Sequence, residues 1–172
     1  MPPLVLNSLD DLKDFVGCEI NVTDWFEITQ DRILKFAEAT EDRQWIHLDP
    51  ARAKRESPYG ATIAHGFLTL SLLSDLSQQA LQIQNGVGMI VNYGLNRVRF
   101  PAPVLAGSKI RARFTVQSLQ DVNNGREATF SVVLEVQSQE GQTQPKPCCV
   151  AEWVIRYYPR DSRFQPQSGV SM

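Results

Sequence analysis

The chain has 172 residues, 42% of them hydrophobic, with 17 basic and 19 acidic side chains and a formal net charge of −2. That is enough apolar material for one domain to bury a core without disulfides or metals, and the charge balance excludes a nucleic-acid footprint or a polybasic membrane patch. No segment reaches the length of a bilayer-spanning helix and the N-terminus lacks a basic, apolar leader, so the expected location is the cytoplasm.

In chain order, the first expected element is a short helix. Ser8 caps it with Asp11 three residues on, Leu9, Leu12 and Phe15 mark one face, and Gly17 ends it. Residues 18–28 carry Ile20, Val22, Trp25, Phe26 and Ile28 at strand-like positions, with a bend expected near Thr23-Asp24. Thr29 caps a second, amphipathic helix over 31–39, marked by Ile33, Phe36 and Ala37, and a polar, irregular segment follows over 40–50. Asp49-Pro50 then predicts one or two helical turns over 51–56, because aspartate caps well and proline suits the first turn.

The longest helix is expected over 66–81. Phe67, Leu68, Leu70, Leu72, Leu73 and Leu76 cover most of its circumference, which predicts burial on nearly all sides. Four β-favouring runs follow, over 87–100, 108–122, 126–138 and 148–158. Ile110, Ala112, Phe114 and Val116 alternate with polar residues, as do Ala128, Phe130, Val132, Leu134 and Val136, so each strand has one packed face. Asn123-Asn124-Gly125 between two of them has the residues of a tight antiparallel hairpin. The adjacent Cys148 and Cys149 read as small apolar strand residues. The whole is an α+β layer in which an antiparallel sheet wraps a central helix, in one domain over 1–158 with a polar tail over 159–172.

Chemistry concentrates just before the central helix, where the only two histidines fall. His47 follows Asp42 by five residues on what reads as an exposed polar turn. A carboxylate beside an imidazole is the pairing needed to position and deprotonate a water near neutral pH. Gly66 opens the central helix, where a backbone N–H unpaired within the helix can hold an oxygen that becomes negative; the same glycine would also ease a sharp turn into the helix. Ser74, two turns on, suits either a hydrogen bond to a catalytic carboxylate or one to the preceding turn. Arg97 and Arg99 share a strand face, with Arg111 and Arg113 on the next strand, an arrangement suited to phosphates or simply to solvent. His65 reads as structural. Neither histidine pairs with cysteine at ligand spacing, so no metal site is expected.

Phe36-Ala37-x-x-Thr40-x-Asp42-x-Gln44-Trp45-Ile46-His47-x-Asp49, followed by Ile63-Ala64-His65-Gly66-Phe67-Leu68, resembles the MaoC-type dehydratases, which include the R-specific enoyl-CoA hydratases. The run from Asn96 to Val104, with Gly107-Ser108, resembles the strand-turn-strand signature of the same family, and Gln44-Trp45-Ile46-His47 with the run from Asn92 to Val104 is similar to the nodulation protein N-like branch. The resemblance implies a hot-dog fold, a homodimer, an acyl-CoA thioester as substrate, no cofactor beyond the coenzyme A of that substrate, and R-specific addition or removal of one water at the double bond. It assigns catalysis to Asp42 and His47, the oxyanion-binding amide to Gly66 and support to Ser74; Gln44, which keeps an amide, is expected to support the site as well, and the strand face of Arg97 and Arg99 to meet substrate phosphates. The family more commonly has Gly, Asn and Pro where this chain has Glu41, Gln44 and Trp45. Two other activities fit the same fold, an acyl-CoA thioesterase and a non-catalytic acyl-binding subunit.

Overall fold

The computed structural model describes residues 2–160. Of the expected tail over 159–172, Pro159 ends the last strand and the part from 161 onward lies outside the described residues.

The chain begins with strand β1 (Leu4–Leu6) and a 3-10 helix over Leu9–Phe15, in which the Ser8 N–H donates to Asp11 Oδ2 at 2.9 Å and Leu12 is fully buried. The expected strand over 18–28 is interrupted at its predicted bend, giving β2 (Glu19–Val22) and β3 (Phe26–Glu27). Between them Thr23 Oγ1 accepts from the Ala112 N–H at 2.9 Å, which ties the bend to the neighbouring strand. Helix α1 (Gln30–Thr40) is capped by Thr29, which accepts from the Arg32 N–H, and it buries Ile33 and Ala37. The segment over 40–50 is more ordered than its composition predicts, since Trp45–Leu48 forms a helical turn, α2. Asp49 caps α3 (Pro50–Glu56) through the Arg52 N–H at 2.9 Å, as aspartate before proline predicts.

The central helix is two segments, α4 (Gly66–Ser71) and α5 (Leu73–Ala80), with Leu72 between them. Thr69 Oγ1 and Ser71 Oγ donate to the carbonyls of Gly66 and Leu68, at 2.7 and 2.8 Å, and draw them off the regular ladder just before the break. Burial is also less complete than expected. Leu68, Leu73 and Leu76 are in the core, but Phe67 is 68% exposed and meets Phe100 edge-on, 5.9 Å between ring centres. Leu81 leaves the helix and starts β4 (Leu81–Ile83), which pairs in parallel with β1.

Four long strands complete the fold: β5 (Val87–Arg99), β6 (Lys109–Val122), β7 (Gly125–Gln137) and β8 (Cys149–Pro159). The main sheet is antiparallel in the order β2-β6-β7-β8-β5, with β3 also on β6. Its inner face carries the alternating residues expected of β6 and β7, all buried against the central helix. In the β6–β7 hairpin the positive φ belongs to Asn124, at 63°, rather than to Gly125. Gly125 is required for another reason, because a Cβ there would stand 2.4 Å from the Tyr157 carbonyl oxygen. Cys148 and Cys149 are both in the core, and burial pushes their thiols up to about 12 and about 11. Among the described residues no helix is long and apolar enough to cross a membrane.

Candidate active site

Three elements meet at the N-terminal end of the central helix. Helix α1 ends at Thr40, and Glu41 turns the chain through a left-handed conformation with φ 60°. This is the position where the family more often has glycine, the residue that adopts such a φ without steric cost. The turn presents Asp42, whose side chain is 55% exposed. Helix α2 then carries His47, which is only 7% exposed rather than on an open turn as its polar neighbours suggested. The missing signal is non-local, because the cover comes from Ile63 and His65, sixteen and eighteen residues on.

The ring nitrogens of His47 are distinguished by this packing. Nδ1 lies 2.7 Å from the Ile63 carbonyl oxygen, and a carbonyl only accepts, so Nδ1 carries the proton and Nε2 keeps its lone pair. Gln30 fastens the same turn: its Nε2 donates to the His47 carbonyl at 2.7 Å and its Oε1 accepts from the Thr62 hydroxyl. Burial holds His47 below the usual imidazole range; the Ile63 carbonyl opposes that shift, the neighbouring His65 adds to it, and Asp42 opposes it. The neutral form, with a basic Nε2, is therefore favoured near pH 7.

His65 is also part of the cluster. Its ring stacks on that of His47, 3.7 Å between centres at 28°, and its Nε2–H donates to the Asp42 carbonyl at 2.9 Å, with an Asp42 carboxylate oxygen 4.0 Å away. It thus ties the loop bearing Asp42 to the start of the central helix. Its Nδ1 is sealed without a partner. One potential ligand atom from each of Asp42, His47 and His65 lies within 4.8 Å of the others. Because His65 Nε2–H is engaged by the Asp42 carbonyl and its Nδ1 is sealed, Asp42 and His47 are the members of the trio with lone pairs left to grip a water.

The remaining expected residues are placed less uniformly. Gly66 is the first residue of α4, so its N–H has no partner in the helix. A Cβ at Gly66 would lie 2.9 to 3.1 Å from three atoms of the Phe100 ring, and this close approach accounts for the glycine. Gln44 precedes α2, and its carbonyl accepts from the His47 N–H at 3.0 Å. Ser74 bonds neither Asp42 nor the preceding turn, since its hydroxyl accepts from Asn92 Nδ2 at 2.9 Å. Arg97 and Arg99 do share a face, opposite Glu152 and Val150 on β8 and turned away from the central helix. Arg111 and Arg113 are not their neighbours. The sheet order puts β7 and β8 between the two pairs, and Glu135 engages both of the latter at 2.6 and 2.7 Å.

A cavity of about 570 Å³ opens beside the second half of the central helix, away from Asp42 and His47. Its floor is the inner face of the sheet, with Phe114, Phe130, Trp153, Ile155 and Tyr157, and Ser74 and Asn92 stand at its side. Eight residues separate Gly66 from Ser74, about 12 Å along a helix axis.

A helix held in the curl of an antiparallel sheet, with a carboxylate and an imidazole brought together at the helix N-terminus, defines a hot-dog-fold protein. The description "MaoC like domain" matches residues 13–138, and the chain belongs to that family. It is 48% identical over 151 residues to 3-hydroxyacyl-thioester dehydratase Z of Mycobacterium tuberculosis, covering 87% of this chain and 95% of the relative. It is 40% identical over 157 residues to Nodulation protein N of Rhizobium leguminosarum bv. viciae, covering 90% and 94%. Among solved structures it is similar to an (R)-hydratase from A. caviae involved in PHA biosynthesis, with a TM-score of 0.59 and 25% identity over 80% of this chain and 94% of that one.

Proposed function

We propose that this protein hydrates trans-2-enoyl thioesters of coenzyme A to (R)-3-hydroxyacyl thioesters, or runs the reverse dehydration. The single observation that carries this is the placement of the Asp42 carboxylate and an imidazole nitrogen of His47 within 4.8 Å of each other. Two acceptors at that separation bracket one water at ordinary hydrogen-bond distances from both. As the water oxygen bonds C3, its proton passes to this pair, and a proton is returned to C2, so the elements of one water are added across the double bond. The negative charge that collects on the thioester oxygen meets the unpaired N–H of Gly66 at the positive end of α4. The relatives named as a dehydratase and a hydratase support this chemistry.

Two further parts belong to the same proposal. The protein acts as a homodimer through the free edge of β5, where Met89, Ile90, Tyr93 and Leu95 are exposed together with Phe67 and Phe100. A long apolar edge strand left open is an aggregation hazard that pairing with a second copy removes. Arg97 and Arg99 then attract the phosphates of the carrier. We place the activity in the cytoplasm, within a domain over residues 1–158.

The test is purified protein with crotonyl-CoA and a longer enoyl-CoA, following loss of the conjugated thioester absorbance and the configuration of the product. R-3-hydroxyacyl-CoA is expected. Release of free coenzyme A thiol would make the protein a hydrolase, and no turnover of either substrate would make it a binding subunit. Sedimentation of a monomer at micromolar concentration would overturn the dimer.

A further inference from the structure

The cavity beside α5 has one feature that an oil-filled pocket lacks. Tyr157, on β8, is 5% exposed and forms part of the floor with Ile155 and Trp153, two and four residues earlier on the same strand face. Its hydroxyl has no hydrogen-bond partner among the described residues. Buried tyrosines ordinarily place their O–H against an acceptor, since desolvating an unpaired hydroxyl is costly. Among the described residues Asn21 Oδ1 and His65 Nδ1 also lack partners, but both are sealed by protein. Tyr157 instead borders open space large enough for a ligand chain. Burial raises the phenol above its ordinary range, so at physiological pH it offers both a donor and an acceptor.

The geometry also gives direction. β5 and β8 run antiparallel, with Arg99 opposite Val150 near the catalytic end and Ile90 opposite Tyr157 towards the other. Tyr157 therefore lies farther from Gly66 than does the Ser74–Asn92 hydrogen bond, beyond the reach of a short acyl group. Ser74 and Asn92 bond one another at their own positions, and on the floor the indole N–H of Trp153 can only donate, so Tyr157 carries the one hydroxyl there that can both donate to and accept from a chain.

We infer that the cavity takes the distal part of a long acyl chain and that Tyr157 selects chains bearing an oxygen, a hydroxyl or carbonyl, far from the thioester. The inference rests on the hydratase reading for the identity of the chain, but not for the recognition. In the wild type the hydroxyl of such a substrate restores the hydrogen bond that Tyr157 otherwise lacks. An unsubstituted chain leaves it unmade.

The experiment compares dodecanoyl-CoA with 12-hydroxydodecanoyl-CoA, and hexadecanoyl-CoA with 16-hydroxyhexadecanoyl-CoA, by titration calorimetry on the full chain and its Tyr157→Phe variant. These saturated thioesters lack the double bond that hydration needs, so the readout is independent of the proposed reaction. At one length at least, the wild type is expected to bind the hydroxylated chain up to about tenfold tighter, the range of one net hydrogen bond, and Tyr157→Phe to bring that ratio close to one. Equal affinity for both members of each pair in the wild type overturns the inference. So does a preference that survives in Tyr157→Phe, or failure of all four to bind. Hydration of crotonyl-CoA without a hydroxyl preference would sink this inference alone, whereas the preference without hydration would sink only the proposed reaction.

Discussion

The two halves of the central helix serve different chemistry because they are solvated and tied differently. Around α4, the rings of His47 and His65 are fixed by backbone carbonyls: Ile63 orients one imidazole and the Asp42 carbonyl the other. Beside α5 the lining is mostly apolar and its polar group of interest, the Tyr157 hydroxyl, is free. Rigid hydrogen bonding holds reacting groups in one geometry, where small displacements are expensive in rate. A free hydroxyl on an apolar floor suits recognition, where the ligand supplies the missing partner.

That division can be broken most severely at Asp42. Asp42→Asn and His47→Gln are each expected to lower kcat/KM by about 10² to 10⁴, the usual contribution of a positioned acid or base. Neither should change the calorimetric Kd of dodecanoyl-CoA by more than about threefold, given the roughly 1.4 kcal/mol that a tenfold change represents. A loss of binding as large as the loss of rate would show the two halves to be one site. A smaller effect is expected from Gly66→Ala, which keeps the backbone N–H but sets a methyl against Phe100. It should destabilise by about 1 kcal/mol in urea unfolding, as mild overpacking does, and Gly66→Ala with Phe100→Leu should recover most of it. A hundredfold fall in kcat in the single variant, not rescued by the second change, would mean that substrate packs against the Cα of Gly66 as well as meeting its N–H.

The smallest effect concerns pH. Burial lowers the folded-state pKa of His47 below its ordinary 6.5, so the folded protein binds this proton less readily than the unfolded chain. Its contribution to stability is fully present above pH 6.5 and is lost as pH falls through the depressed value. The acid limb of kcat/KM should likewise lie below 6.5, because the free enzyme's base sets it. Unfolding midpoints and rates measured between pH 5 and 8 check both signs. An acid limb above 6.5 would mean that His47 is not the group that must stay neutral.

Local features of the sequence carried most of the fold. Alternation in Ile110 to Val116 and in Ala128 to Val136 marks the packed face of two strands, and Asp49-Pro50 and Thr29 mark helix starts, because each signal is complete within a few residues. What lay beyond local reading depends on partners distant in the chain. The burial of His47 comes from Ile63 and His65, the separation of Arg97 from Arg111 comes from strand order, and the partner of Ser74 is Asn92, eighteen residues on. The short parallel pairing of β1 with β4 has no periodic signature over three residues. The Asp42–His47 spacing suggested a pair, but neither the clamp by Gln30 nor the stacking by His65 is written in that spacing.

The left-handed turn at Glu41 bears on how steadily Asp42 is aimed. A glycine at φ 60° would sit there without strain, and would also leave many other conformations open to the segment. With a side chain present, the backbone has fewer alternatives to visit, at a cost of about 1 to 2 kcal/mol for the unfavourable region. Glu41 thus exchanges some local stability for a narrower spread of directions, so that thermal motion of the loop moves the carboxylate as part of the helix end rather than as a free tether.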